Sequence, residues 1–232
     1  MPSILITGAN RGIGLELTRQ YAADGWNIFA CCRSPENAYD LNKLAAKSAG
    51  AIQLCLLDVT NAAQRTALAA QLQGTPLDIL FNCAGVFKQW TTQSFGATET
   101  HDWLEVMHTN VIAPMQMMES FAANVALSER KIIANMSSRM GSLADNTSGG
   151  YYVYRSSKAA LNMVTVSAAH DLAGQGISVV AMHPGWVRTD MGGPDGELSV
   201  EASATQLRRN LASVTLADSG RFIDITGATL PW

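Results

Sequence analysis

No stretch of the chain approaches the roughly 18 consecutive apolar residues of a membrane span, and Met1-Pro2-Ser3 runs directly into a strand-like segment without the pattern of a secretory leader. The expected location is cytoplasmic. Charge is sparse at 15% of residues, and the 16 Lys and Arg are scattered and outnumbered by 19 Asp and Glu. Nucleic acids and anionic membranes require a concentrated basic face, so neither is an expected partner and small molecules become the default. Cysteine is scarce too: Cys31, Cys32, Cys55 and Cys83 lie in or beside apolar runs and lack the paired spacing of a zinc site, so they read as small buried thiols. His101, His108, His170 and His183 form no ligand set by spacing, and no metal is expected. There is no internal repeat, low-complexity tract or linker, and residues 1–232 are expected to form one domain.

What the chain has in quantity is apolar residues, 47% of the total, in a repeating order. Short apolar runs that suit buried strands alternate with helical patterns. Ser3 to Thr7 predicts a strand, Gly12 to Asp24 a helix closed by Gly25, and Asn27 to Cys32 a second strand. Pro35 to Ser48 predicts the next helix and Ala51 to Leu57 a strand. Thr60 is placed to cap a helix running to about Leu72, and Leu77 to Phe81 predicts a fourth strand after the break at Gly74-Thr75-Pro76. A long helix from about Thr98 to Val125 leads to a strand at Lys131 to Met136 and a polar loop from Ser137 to Gly150. Tyr152 to Ala173 predicts another long helix, ended by Gly174 and Gly176, and Ile177 to Met182 a sixth strand stopped by Pro184-Gly185. After an exposed loop from Arg188 to Glu197, Ser199 to Ala212 predicts a weaker helix and Arg221 to Ile225 a short last strand. Such alternation implies an α/β fold: a doubly wound parallel sheet covered on both faces, in three α/β/α layers.

The first strand runs into Thr7-Gly8-Ala9-Asn10-Arg11-Gly12-Ile13-Gly14, a glycine turn that opens a helix. Gly8 permits the turn off the strand, Gly12 leaves room for a diphosphate to approach the backbone, and Gly14 lets the helix pack against the strand. Backbone N–H groups at the mouth of a helix attract an anion. The spacing T-G-x-x-x-G-x-G has a longer first gap than the common dinucleotide fingerprint G-x-G-x-x-G. The end of the second strand, Ala30-Cys31-Cys32-Arg33-Ser34, is where a site for NAD places a carboxylate against the adenosine ribose. Here Cys32 is uncharged, Arg33 follows it, and Arg11 in the glycine loop supplies a second cation. Two guanidinium groups without a carboxylate suit a 2′-phosphate, which predicts NADPH over NADH.

Tyr154-Arg155-Ser156-Ser157-Lys158 places a phenol and an ammonium four residues apart, on one face of a helix. A close cation in a dry site lowers a phenol's pKa towards neutrality, which suits proton transfer. Tyr39-Asp40-Leu41-Asn42-Lys43 has the same spacing, but it follows the second strand, near the adenosine end of a cofactor. Tyr154 follows the fifth strand, beyond the chain reversal where a reactive ring would lie. Tyr151 and Tyr152 lack a lysine four residues on and read as pocket lining. Ser137-Ser138 closes the fifth strand at the carboxyl edge, where either hydroxyl is placed to donate to a substrate oxygen, whereas Ser142, Ser148 and Ser156 read as cap or turn residues. Asn110, within a predicted helix, reads on its own as a surface residue.

Together these motifs resemble the short-chain dehydrogenase/reductase family over nearly the whole chain. Besides the glycine turn, Asp58-Val59 is similar to the family's adenine contact, Asn82-Cys83-Ala84-Gly85 to its N-N-A-G element, and Pro184-Gly185-Trp186-Val187-Arg188-Thr189 to the segment that fixes the nicotinamide carboxamide. Asn110, Ser138, Tyr154 and Lys158 resemble the catalytic tetrad, and the pattern favours Ser138 over Ser137. Cys83 departs from the second asparagine of N-N-A-G, and Ser138 precedes Tyr154 by three residues more than is common. That longer loop and the ending from Gly220 to Trp232 are similar to the C-factor and sniffer-like carbonyl-reductase branch.

The resemblance implies a Rossmann-type fold that binds NADP(H) through Gly8, Asn10, Arg11, Gly12, Ile13, Gly14, Arg33, Asp58, Val59, Asn82, Ala84, Gly85, Tyr154, Lys158, Pro184, Gly185, Val187 and Thr189. It implies reduction of an aldehyde or ketone, or the reverse oxidation of an alcohol: Tyr154 gives the proton, Ser138 holds the oxygen, Lys158 lowers the Tyr154 pKa and holds the nicotinamide ribose, and Asn110 anchors a water for proton resupply. It also implies a homo-oligomer paired through the long helices of Asn110 and Tyr154, a dimer before a tetramer. Trp90, Phe95, Tyr151, Tyr152 and Trp186 are expected to line the substrate pocket, under a lid from Asp190 to Val200. The alternative is an NADP(H)-binding regulatory or signalling protein of the C-factor type with incidental turnover.

Overall fold

Every residue of β1 (Ser3–Thr7) is buried, because helices cover both of its faces. Ile4 and Ile6 point into one apolar layer and Leu5 into the other, the period-two alternation of a strand packed on both sides. The computed structural model describes residues 1–232 throughout. β1 lies in the middle of a seven-stranded sheet ordered β3-β2-β1-β4-β5-β6-β7, with β2 (Asn27–Cys32), β3 (Ile52–Leu56), β4 (Ile79–Asn82), β5 (Ile132–Met136), β6 (Ser178–Met182) and β7 (Phe222–Ile223). All neighbouring strands pair in parallel. The fold is the Rossmann-like doubly wound α/β arrangement in three layers. α1 (Gly12–Ala23), α2 (Tyr39–Ala46) and α7 (Val200–Ser213) cover one face through Leu17, Leu41, Leu207 and Leu211. α3 (Ala62–Gln71), α5 (Ala113–Ala126) and α6 (Tyr152–Leu172) cover the other through Leu68, Phe121 and Ala168. The chain reverses direction across the sheet between β1 and β4, and the carboxyl ends of those strands open the crevice in which such sheets bind ligands. No helix is long and apolar enough to cross a membrane.

The structure differs from the sequence reading in three places, each with a local cause. The helix expected over Pro35 to Ser48 is divided into a 3-10 turn (Pro35–Asn37) and α2, because Ala38 leaves helical geometry at φ −87° and ψ 68°. The Asn42 amide donates to the oxygens of Pro35 and Ala38 at 2.6 and 2.9 Å, satisfying carbonyls at the break. Asn61, not Thr60, caps α3 by accepting the Gln64 N–H at 3.1 Å, because the Thr60 hydroxyl donates to Asp58. The helix expected from Thr98 to Val125 is α4 (Thr100–Met107), a π-turn (His108–Ile112) and α5. Pro114 lacks an N–H and its ring presses on the carbonyl four residues back, that of Asn110, so the wider turn relieves the clash there.

Candidate active site

The crevice is built around Thr7. Its Oγ1 accepts the N–H groups of Cys83 and Ala84, each at 3.0 Å, which stitches the end of β1 to the segment leaving β4. Gly8 follows with φ +68°, and a Cβ there would lie 3.0 Å from the Ala84 Cα. Gly14 has a different reason to be glycine: a Cβ would sit 2.3 Å from the Gly8 oxygen, so the turn closes against the helix only without one. α1 starts at Gly12 with no side-chain cap, leaving its first turn facing the crevice. Asn10 and Arg11 are exposed, Ile13 packs on the core, and Thr189 comes within 3.6 Å of where a Gly12 Cβ would stand.

Lys158 and Tyr154 lie where α6 passes the ends of β4 and β5. Lys158 is buried, donates to the Met136 oxygen at 2.8 Å and stands 5.5 Å from the centre of the Tyr154 ring. Burial pushes its pKa down to about 8, with Cys83 opposing. Burial pushes the Tyr154 phenol up to about 12, against a hydrogen bond with the Ser138 side chain. Burial outweighs that hydrogen bond, and the phenol stands protonated in the cofactor-free protein. Cys83 is held as a thiol, pushed up to about 12 by burial.

The two serines separate. Ser137 donates to Asn162 Oδ1 at 2.6 Å inside the core, whereas Ser138 is extended, accepts the Met140 N–H at 3.2 Å and is the one that meets the phenol. Asn110 is not a surface residue: it is 1% exposed within the π-turn. Its Oδ1 accepts the Val86 N–H at 2.8 Å, and its Nδ2 donates to the Val86 oxygen at 2.9 Å and to Ser157 Oγ at 3.2 Å. That amide fixes the Gly85-Val86 backbone beside Lys158. Ser156 accepts the Trp103 indole N–H at 3.0 Å and Ser142 accepts the Asp145 N–H at 3.1 Å, both structural uses.

The remaining cofactor candidates ring the crevice unevenly. Burial would raise the Asp58 carboxyl, but hydrogen bonds from the Thr60 hydroxyl and N–H, aided by Arg33 and His108, hold it below the usual range. Val59 is buried and its oxygen accepts from Arg65 at 2.6 Å. Asn82 turns inward, donating to Asn135 Oδ1 at 2.9 Å. Pro184 accepts from Ser203 at 2.7 Å, Val187 is buried, and Thr189 Oγ1 accepts the Gly192 N–H at 3.0 Å. Gly185 has φ +81° and packs under Leu198. Arg33 is exposed beside buried Cys32. Arg11 pairs with Asp190 at 2.6 Å, across the crevice mouth. On α4, His101, Asp102 and Glu105 come together, with Lys88 paired to both carboxylates at 3.3 and 2.6 Å.

Of the expected pocket aromatics, Trp90 and Tyr151 pack edge to face at 4.6 Å, and Phe87 meets Tyr151 at 5.9 Å and Tyr154 at 4.9 Å. Phe95 and Tyr152 pack together further out, Phe95 being 89% exposed, and the half-exposed Trp186 donates to the Gly192 oxygen. Sequence reasoning missed Phe87, Thr7 as a tie, and Gln93, which accepts N–H groups from the start of α6.

A parallel sheet whose reversal point carries a glycine turn and a buried tyrosine–lysine pair defines a nucleotide-binding oxidoreductase framework. The family model for short chain dehydrogenases matches residues 2–197, and the chain belongs to that family. It is 39% identical to C-signal of Myxococcus xanthus over 166 residues, 72% of this chain and 99% of that protein. The structure of the carbonyl reductase Sniffer of D. melanogaster superposes with a TM-score of 0.92 at 34% identity, covering 100% of both chains. That of the NADPH-bound carbonyl reductase from chicken fatty liver superposes with a TM-score of 0.93 at 34% identity, covering 100% of this chain and 99% of the other.

Proposed function

We propose that the protein is an NADPH-dependent carbonyl reductase acting on an aldehyde or ketone. The observation that carries this reading is the protonated, buried phenol of Tyr154 beside the Ser138 hydroxyl and 5.5 Å from the Lys158 ammonium nitrogen, at the reversal point of the sheet. The residues present fit the cofactor: the uncapped first turn of α1 and the cradle of Gly8, Gly12, Ile13 and Gly14 suit a diphosphate, with Asn10 at the rim. Arg33, next to uncharged Cys32, suits the 2′-phosphate, with Asp58 and Val59 towards the adenine. Asn82, Ala84, Gly85, Pro184, Gly185, Val187 and Thr189 wall the nicotinamide half, the first through its backbone. Bound NADPH supplies the hydride.

Ser138 orients the carbonyl oxygen, and Tyr154 Oη gives that oxygen its proton as negative charge develops there. A phenol held well above neutrality is fully protonated, which suits reduction. Lys158, brought down to about 8, exchanges protons near neutral pH and resupplies the tyrosine, while Asn110 holds the neighbouring backbone in place. The exposed Leu104, Ile112 and Met163 on α4, the π-turn and α6 support pairing of two copies through those helices.

Tyr154→Phe tests the reading. Turnover is expected to fall at least about a hundredfold with NADPH affinity nearly unchanged, and Tyr39→Phe to be close to silent. Full activity in Tyr154→Phe would overturn it. A carbonyl panel separates catalysis from signalling: a protein that only senses NADPH binds it and reduces nothing.

A further inference from the structure

α6 carries Tyr154 in its first turn, yet has no cap of its own. Tyr151, just before it, is left-handed at φ 51° and ψ 38° and provides no side-chain acceptor. Two of the free N–H groups of that turn, those of Tyr152 and Tyr154, are instead served by Gln93, which lies beyond the 3-10 turn Trp90–Thr92 and is 0% exposed. Its backbone oxygen accepts the Tyr152 N–H at 3.0 Å, and its Oε1 accepts the Tyr154 N–H at 3.2 Å. Its Nε2 donates to the Lys88 oxygen at 2.5 Å. Both ends of the amide are thus fixed by chemistry, since an N–H faces Oε1 and a carbonyl faces Nε2. The same loop carries Trp90, whose ring fills the space a Gly150 Cβ would enter at 2.7 Å and packs on Tyr151.

We propose that Gln93 is a positioning residue for Tyr154: by holding the tyrosine's own N–H, it sets where the phenol stands relative to Ser138 and the substrate oxygen. The inference rests on the reading of Tyr154 as proton donor. Without the amide, a buried N–H at the reacting residue has no partner, and the first turn of α6 shifts to find one. A small displacement of the phenol slows proton transfer while leaving the cradle for the cofactor untouched. A glutamate at the position makes the idea testable by pH. Protonated, it accepts from Tyr154 and donates to Lys88 as the amide does; ionised, it turns a lone pair on the Lys88 oxygen and sets a negative charge beside the tyrosine.

The experiment measures kcat, KM, NADPH affinity, pH–rate profile and circular dichroism for the wild type, Tyr154→Phe, Gln93→Met and Gln93→Glu. In Gln93→Met, kcat is expected to fall at least about tenfold, with NADPH affinity within about twofold of the wild type. Gln93→Glu is expected to work best at low pH and to lose kcat as pH rises, through a limb the wild type lacks. Wild-type kcat and pH profile in folded Gln93→Met would overturn the proposal. So would a loss in Gln93→Met that tracks the folded fraction alone, together with a Gln93→Glu profile parallel to the wild type. If Gln93→Met does not fold, the Gln93→Glu profile decides alone. Slow Tyr154→Phe with normal Gln93 variants refutes the role of Gln93 only; normal Tyr154→Phe refutes the reading beneath it.

Discussion

Tyr39 and Tyr154 each precede a lysine by four residues, yet Tyr39 is 74% exposed at the start of α2 and Tyr154 is 8% exposed at the start of α6. Lys43 stands in solvent, whereas Lys158 is 4% exposed and bonded to Met136. The contrast extends to the two ends of the crevice. At the end proposed to be reactive the protein itself fixes each group: Asn110 by Val86 and Ser157, Tyr154 by Gln93 and Phe87, Lys158 by Met136. At the end proposed for the adenosine the cations are surface side chains, Arg33 beside Cys32 and Arg11 paired with Asp190. Residue spacing therefore does not distinguish a chemical pair from a surface pair; dryness does, because only a desolvated group has its proton affinity moved far enough to matter.

The sharpest way to break that comparison is Lys158→Met. Turnover and NADPH affinity are both expected to fall, turnover by at least about a hundredfold, since the proposed function gives one ammonium both the proton path and the ribose. Stability of the cofactor-free protein is expected to move the other way. Burial lowers Lys158 from its ordinary value of 10.5 to about 8, so the folded state carries the cost of a buried charge below pH 8. Between pH 8 and 10.5 the unfolded chain holds a proton the folded one has released, and stability rises with pH across that window. Lys158→Met lacks this rise and should be the more stable protein at pH 7, by up to about 3 kcal/mol. Thermal unfolding of both proteins from pH 7 to 10 checks it; parallel curves would count against a desolvated lysine.

The sheet was legible because β1, β5 and β6 are buried on both faces and read as largely apolar runs, with Pro184-Gly185 marking the end of β6. The glycine turn was legible because a Cβ at Gly14 would lie 2.3 Å from the Gly8 carbonyl oxygen, so only glycine fits there. What escaped was long-range. Asn110 looks like a surface amide until Pro114 opens a π-turn that carries it into the core. Nothing near Gln93 in the sequence shows that its partners lie about sixty residues on; the separation to Tyr154 is 61. The pull of Asp190 on Arg11 joins residues 179 apart. The burial of Tyr154 is long-range too: the sequence shows the neighbouring cation but not the desolvation that raises the phenol.

A smaller effect is expected at the adenosine end. Arg33→Ala should reduce the preference for NADPH over NADH by at least about tenfold, the loss of roughly 1.4 kcal/mol from one charge-assisted contact. Cys32→Asp should move the preference further, by setting a negative charge against the phosphate and giving the ribose of NADH an acceptor. Ratios of kcat/KM for the two cofactors measure both. Equal efficiencies in the unmodified protein would remove the case for Arg33 and leave the reactive end as it stands.

The smallest effect belongs to Arg11. Its partner Asp190 sits just past Thr189, and the two side chains are 69% and 80% exposed. An ion pair this wet contributes little in water, because both charges are solvated whether or not they meet. Asp190→Asn releases Arg11 without touching the cradle, so the two roles open to the guanidinium give opposite results. If Arg11 serves the 2′-phosphate, its release should raise NADPH affinity by less than about fivefold at low ionic strength, with no change for NADH, and the gain should vanish in about 0.5 M salt. If it serves only to hold the lid, affinity for both cofactors should fall together. Titrating the variant with NADPH and NADH at two salt concentrations decides, and a parallel fall would leave Arg33 as the sole cation assigned to the phosphate.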